Sequence, residues 1–163
     1  SDTLMFRSPT CTEIDKLVAE QLAEIAEIDI KAFAMKMFEE GSQLRKKADS
    51  EIFYQDYKKF VASDIPYGVG QITSMNHDEL LSVQERLLAY MESAMAETGI
   101  PMIFFMLTDI LKESTRLLFV GSDAKKLVED SFRQEAEEHY IDLEGVVSRK
   151  KQLIPKLTAV LQQ

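Results

Sequence analysis

With 163 residues, 45% of them hydrophobic and 29% charged, the chain has the length of one ordinary domain and can bury a sizeable core. Its formal net charge of −9 argues against a general nucleic-acid binder, because binding to the phosphate backbone requires a net positive field. The single cysteine, Cys11, excludes a disulfide framework, and the longest apolar run, residues 100–107, is shorter than the about 20 residues that span a bilayer. We therefore expect a cytoplasmic protein with neither a nucleic-acid nor a membrane partner.

The first 43 residues are predicted to be helical. Apolar side chains recur at helical spacing from Ile14 to Ile28, and a second helix covers residues 30–41. The polar stretch that follows, SQLRKKADS, indicates a linker, which we place at residues 44–50. Residues 1–43 then form a helical segment that precedes a separate domain at 51–163.

Strands alternate with helices in the second part of the chain. Apolar and β-branched runs predict strands at 57–63, 67–75, 101–110 and 115–121, with a break at Pro66 between the first two. Helices are predicted from the N-cap Asn76 to Gly99, over residues 122–132 with Ser122 as the cap, and up to about Leu161. This alternation predicts an α/β domain with a mixed β-sheet flanked by helices.

Three consecutive cations, Arg149, Lys150 and Lys151, follow the apolar pair Val146 and Val147 in this acidic chain. Like charges about 6 Å apart repel by roughly 0.7 kcal/mol in bulk water, so the run is unfavourable unless solvent or an anion screens it. A solvated surface turn is one interpretation. An anion site is the other, because arginine presents a planar fork to phosphate oxygens and the run lies just before a helix start.

A second basic pair, Lys58 and Lys59, lies in a predicted strand, where alternation sends the two side chains to opposite faces. One of them can face the same anion, or both protect an edge strand. The remaining candidates are weaker: His77 and His139 fit no metal-ligand spacing, and Asp109 is either a metal ligand or a cap at the end of a strand. No complete nucleophile, base and orienting group is visible.

Four motifs in this order carry a family resemblance: SDTLMFRSPTCTEID, DYKKF, FFMLTDIL and GVVSRKKQLIP. Together they resemble the carboxyl-terminal half of the family II, manganese-dependent inorganic pyrophosphatases over essentially the whole chain. The serine-arginine-lysine-lysine motif is the most specific of them. The resemblance implies a two-domain enzyme that hydrolyses pyrophosphate to two phosphates in the cleft between its domains.

The resemblance also implies how this chain is divided. Residues 1–43 would be the helical tail of a metal-binding DHH domain, and residues 51–163 the DHHA2 domain that closes over pyrophosphate. Members of the family use manganese, and we consider magnesium or cobalt as alternatives. We also expect the full-length enzyme to form a homodimer.

Individual residues match the family motifs. Asp2 matches a metal ligand, and Lys58, Arg149 and Lys150 match residues that bind the substrate phosphates. The sequence contains no DHH motif, so the other metal ligands of the family would lie upstream of Ser1. We therefore expect this fragment alone to hold no metal and to be inactive.

Two alternatives remain at this stage. One is a polyphosphatase or another phosphoesterase of the DHH superfamily, which would use the same substrate-binding domain. The other is a non-enzymatic, regulatory module that binds an anion. The serine-arginine-lysine-lysine motif favours pyrophosphate and the enzyme.

Overall fold

The computed structural model describes residues 44–163 together with Ala32. Asp2 lies outside the described residues. So do the two helices predicted before residue 43, with the exception of Ala32. The predicted division into tail, linker and domain stays a prediction. In the structure Leu44 is 2% exposed, and its N–H donates to Glu79 at 2.7 Å, so the segment that begins there packs on the domain.

The described residues form one five-stranded sheet in the order β1-β2-β3-β4-β5. The strands are β1 (Tyr57–Ala62), β2 (Ile65–Ser74), β3 (Ile103–Asp109), β4 (Ser114–Val120) and β5 (Tyr140–Glu144). Strands β2 and β3 are parallel, and the other three neighbouring pairs are antiparallel. The predicted mixed sheet with flanking helices is thus confirmed.

Helices cover both faces of this sheet. They are α1 (Asp49–Tyr54), α2 (His77–Ser82), α3 (Gln84–Thr98), α4 (Ala124–Phe132) and α5 (Ile154–Leu161), with a 3₁₀ turn at Leu44–Lys46 and a π-helical turn at Arg149–Leu153. Helices α1 to α3 cover the face that carries Phe105 and Leu118, and α4 and α5 cover the face that carries Phe104 and Leu117. All residues of β3 are buried, as expected for the apolar run of a central strand. Among the described residues, no helix is long and apolar enough to cross a membrane.

The turn between β1 and β2 differs from the prediction. The chain turns at Ser63 and Asp64, which both have positive φ (50° and 64°), as a tight two-residue hairpin turn requires. Pro66, where a break was expected, lies inside β2 opposite Val61. The pairing of β2 with β3 begins only at Gly68, so the missing N–H of Pro66 interrupts no hydrogen bond of that pair.

Two helical predictions need correction. The helix that starts at Asn76 is interrupted at the fully buried Val83, which ends α2 and begins α3. The cap of α4 is Asp123, not Ser122, and its side chain makes no capping hydrogen bond. The end of α3 at Gly99 is confirmed, because this glycine adopts the left-handed conformation (φ 72°).

The last helix begins with a π-helical turn because of Pro155. A proline lacks the N–H of an i→i−4 hydrogen bond and its ring crowds the carbonyl four residues earlier. The preceding turn is widened accordingly: the N–H of Leu153 donates to Ser148 O at 3.2 Å, and that of Ile154 donates to Arg149 O. This widened turn carries Arg149 and Lys150, two of the predicted site residues.

Candidate anion-binding site

Arg149 connects the π-helical turn to the β1–β2 hairpin. Its Nη1 donates to the main-chain carbonyls of Asp56 (2.7 Å) and Val69 (3.1 Å), which lie 93 and 80 residues away in the sequence. Its Nη2 donates to the carboxylate of Asp56 at 2.8 Å. Only 9% of Arg149 is exposed, so this predicted surface cation is held in a nearly buried position.

Lys58 lies next to the residues that hold Arg149. It is in register with Val69, and cross-strand partners place their side chains on the same face of a sheet. That face is the one covered by the turn of Arg149. Lys59 pairs with Gly68 and therefore faces the opposite side, as the alternation predicted.

Lys150 is exposed on the π-helical turn, and its side chain, like that of Lys58, makes no hydrogen bond or ion pair within the described part of the chain. The turn itself is well anchored. Ser148 Oγ accepts from the N–H of Lys151 at 3.1 Å, and Gln152 Oε1 accepts from the N–H of Val147 at 2.8 Å. The start of a helix also favours negative charge, because its first N–H groups have no partner in the helix.

A chain of hydrogen bonds fixes the loop that precedes this turn. Gln71 Nε2 donates to Thr108 Oγ1 at 3.0 Å and to Val147 O at 3.1 Å. Thr108 lies 2.9 Å from Thr115, whose hydroxyl donates to Val146 O at 2.5 Å. These contacts connect β2, β3 and β4 to the loop at Val146 and Val147. They therefore fix the position of the main chain just before Arg149.

Four further residues of this region were not predicted from the sequence: Asp56, Gln71, Thr108 and Thr115. Asp56 had a signal, because it precedes Lys58 by two residues and so shares its face of the extended chain. The two threonines are polar residues within apolar strands, a pattern that indicates hydrogen bonding in the core.

The other sequence candidates lie elsewhere. Asp109 is 3% exposed, and its Oδ1 accepts from the N–H of Lys112 at 3.0 Å, which is the role of a turn cap. His77 Nδ1 is 3.2 Å from Asp109 Oδ2, beside a cleft of about 230 Å³ that is also lined by Arg116 and Asp142. Hydrogen bonds to Asp142 raise the pKa of Arg116, so the guanidinium stays charged and the carboxylate of Asp142 balances that charge. No group of three or more potential metal ligands occurs within residues 44–163.

Comparison with known proteins agrees with this architecture. The family model described as DHHA2 domain matches residues 35–160. The chain is 40% identical to the manganese-dependent inorganic pyrophosphatase of Methanothrix thermoacetophila over 100% of the chain and 53% of that protein. It is 38% identical to the cobalt-dependent inorganic pyrophosphatase of Clostridium perfringens over 99% of the chain and 29% of that protein.

A solved structure gives the same picture. The fold is similar to a crystal structure from Methanococcus jannaschii, described as a candidate family II inorganic pyrophosphatase, with a TM-score of 0.85 and 37% identity over 98% of this chain and 52% of that one. The chain thus spans about half the length of the Methanothrix and Methanococcus proteins and less than a third of the Clostridium protein. Since the family model covers most of the sequence and the fold agrees with it, the chain belongs to the DHHA2 domain family.

Proposed function

We propose that this chain is the substrate-binding part of an inorganic pyrophosphatase, an enzyme that hydrolyses pyrophosphate to two phosphates. The observation that carries the proposal is the position of Arg149 against the hairpin of Lys58. Arg149 bonds the carbonyl of Val69, the cross-strand partner of Lys58, so cations that are distant in the sequence lie on neighbouring segments, as the binding of one anion would require. The pyrophosphatase names of the relatives support the same substrate class.

In this proposal Lys58, Arg149 and Lys150 bind the phosphate oxygens of pyrophosphate. Arg149 donates directed hydrogen bonds from a fixed position, and the two exposed lysines supply point charges. Together they neutralise negative charge that develops on the leaving phosphate. We further propose that the DHHA2 domain begins after a linker at 44–50 and closes over the substrate.

The metal belongs to the whole enzyme in this proposal. The relatives are named as manganese- or cobalt-dependent, and we propose the same metals, with magnesium as an alternative, for the complete protein. Residues 44–163 do not fit a metal site, and Asp2, the one ligand inferred from the sequence, lies outside the described residues. We also propose that the complete enzyme is a cytoplasmic homodimer without a nucleic-acid or membrane partner.

Calorimetric titration of the chain with pyrophosphate at low salt tests the proposal. We expect Lys58→Met to weaken binding by about tenfold or more, since a charge-assisted contact contributes roughly 1.5 kcal/mol or more. Lys59→Met is the matched control, because it removes the same charge from the opposite face of the same strand. Equal affinities of the two variants, or no binding by the wild-type chain, would contradict the proposal.

A further inference from the structure

Asp56 supplies two of the three groups that hold the guanidinium of Arg149. Its main-chain carbonyl accepts from Nη1 at 2.7 Å, and its carboxylate accepts from Nη2 at 2.8 Å. The same carbonyl also accepts from the N–H of Gln71 at 3.2 Å, which ties Asp56 to β2. The end of the guanidinium that carries Nη1 and Nη2 is therefore fixed against the hairpin.

The donors of Arg149 divide into two sets. A guanidinium has five N–H donors in a planar arrangement. Both donors of Nη1 and one of Nη2 are used by Asp56 and Val69, whereas Nε and the second Nη2 donor bond none of the described residues. Because Asp56 accepts from both Nη1 and Nη2, it lies at the terminal edge of the plane, which leaves the lateral Nε–Nη2 edge to match two oxygens of one phosphate.

Asp56 is an acidic residue beside a proposed anion-binding site, so its role there is not to attract the anion. The carboxylate is 47% exposed beside three cations that are proposed to bind an anion, and it lowers the positive potential there. A residue that served only to raise anion affinity would not be acidic at this place. Its contribution is instead geometric, because an arginine side chain loses rotamer entropy when it is fixed before the ligand arrives.

We infer that Asp56 is a positioning residue for pyrophosphate: it fixes one end of the Arg149 guanidinium so that the Nε–Nη2 edge is available to a single phosphate group. The inference rests on the proposed function and adds a residue and a mode of contact to it. Lys58 and Lys150 supply the further cationic contacts of the proposed function.

The test separates the acceptor of Asp56 from its charge. Asp56→Asn removes the charge and keeps an oxygen that accepts from Nη2, whereas Asp56→Ala removes both. We expect Asp56→Ala to bind pyrophosphate about fivefold more weakly in calorimetry, despite the loss of a repulsive charge, because the fixed orientation is lost. Asp56→Asn should bind within about twofold of the wild-type chain, or more tightly. An Asp56→Ala variant that binds as tightly as wild type or more tightly overturns the inference.

Asp142→Ala is the control for charge. It removes an equivalent carboxylate, paired with Arg116 on the other face of the sheet, and should not weaken pyrophosphate binding. If it weakens binding as much as Asp56→Ala, the effect is not specific to Arg149 and the inference is overturned.

A second measurement uses the wild-type chain and so does not depend on the folding of a variant. In ¹⁵N NMR spectra, pyrophosphate should shift the Nε–H resonance of Arg149 and leave its Nη1 resonances in place. A shift that reports release of Nη1 from Asp56 contradicts the inference. A wild-type chain that does not bind pyrophosphate overturns the proposed function itself, which distinguishes the two failures.

Discussion

Arg149 combines a structural contact with a proposed binding contact, and its surroundings explain why a lysine would not replace it. The side chain is 10% exposed and donates three hydrogen bonds, to the carbonyls of Asp56 and Val69 and to the carboxylate of Asp56. An ammonium group is a compact point charge without a planar edge, so it could not hold these acceptors and offer two more donors to a ligand. The position therefore selects arginine on geometric grounds.

Arg149→Ala should reduce both stability and binding. The substitution leaves the Asp56 carboxylate and the Val69 carbonyl without this donor, which should lower the free energy of unfolding by about 1–3 kcal/mol. It should also weaken pyrophosphate binding more than Lys151→Ala, since Lys151 is exposed and has no assigned phosphate contact. Urea denaturation and calorimetry measure the two effects. Unchanged denaturation midpoints in Arg149→Ala, or equal affinities in both variants, would show that the assigned contacts are unimportant.

Strand β2 contains two glycines, Gly68 and Gly70, at positions where an aromatic ring of a neighbouring strand occupies the space of a side chain. A Cβ at Gly70 would lie 2.5 Å from the ring of Phe105, a fully buried residue that packs on Phe53. A Cβ at Gly68 would meet the hydroxyl end of the Tyr57 ring, which is only partly buried. Both positions exclude larger side chains, but the surroundings can yield only at Gly68, where the ring lies near the surface.

Gly70→Ala should consequently destabilise the chain more than Gly68→Ala. Overpacking in a core of normal density costs about 1–3 kcal/mol, and Phe105 is fully buried, so its ring cannot move toward solvent. Tyr57 can rotate toward solvent, so Gly68→Ala should cost less than Gly70→Ala. Thermal and urea unfolding of the two variants, compared at one pH, provide the measurement. The reverse order of stabilities would contradict this account of the sheet.

The charge distribution and the metal chemistry concern the chain as a whole. The protein carries a net charge of −9, and Lys58 and Lys150 are exposed cations within it. Residues 44–163 contain no cluster of metal ligands, although the relatives are named as metal-dependent enzymes. The proposed function therefore assigns the binding of phosphate groups and the metal chemistry to different parts of the complete enzyme.

The purified 163-residue chain should bind pyrophosphate and release little phosphate from it. Hydrolysis of pyrophosphate in the relatives is metal-dependent by name, and a single carboxylate such as Asp2 cannot hold a divalent ion in a catalytic geometry. A phosphate-release assay with and without manganese measures this. Robust manganese-dependent release by the chain alone would show that it contains a complete catalytic site.

Most of the fold was predictable from local sequence pattern, because long apolar runs report burial directly. Strands β1 to β4 were predicted near their observed bounds, and the run that forms β3 is buried on both faces as expected. Strand β5 and helix α1 were missed. Strand β5 has five residues with two buried apolar side chains among acidic neighbours, so its pattern is too short to distinguish it from a loop.

The identity of the site residues came from motifs, but their arrangement depends on contacts that are not local. The run of three cations was visible in the sequence, and so was the separation of Lys58 and Lys59 to opposite faces. No periodicity predicts that Arg149 is nearly buried, or that Asp56 holds it across 93 residues. That contact depends on the register of β1 with β2 and on the widened turn before Pro155. Both result from packing energies that sum over the whole domain.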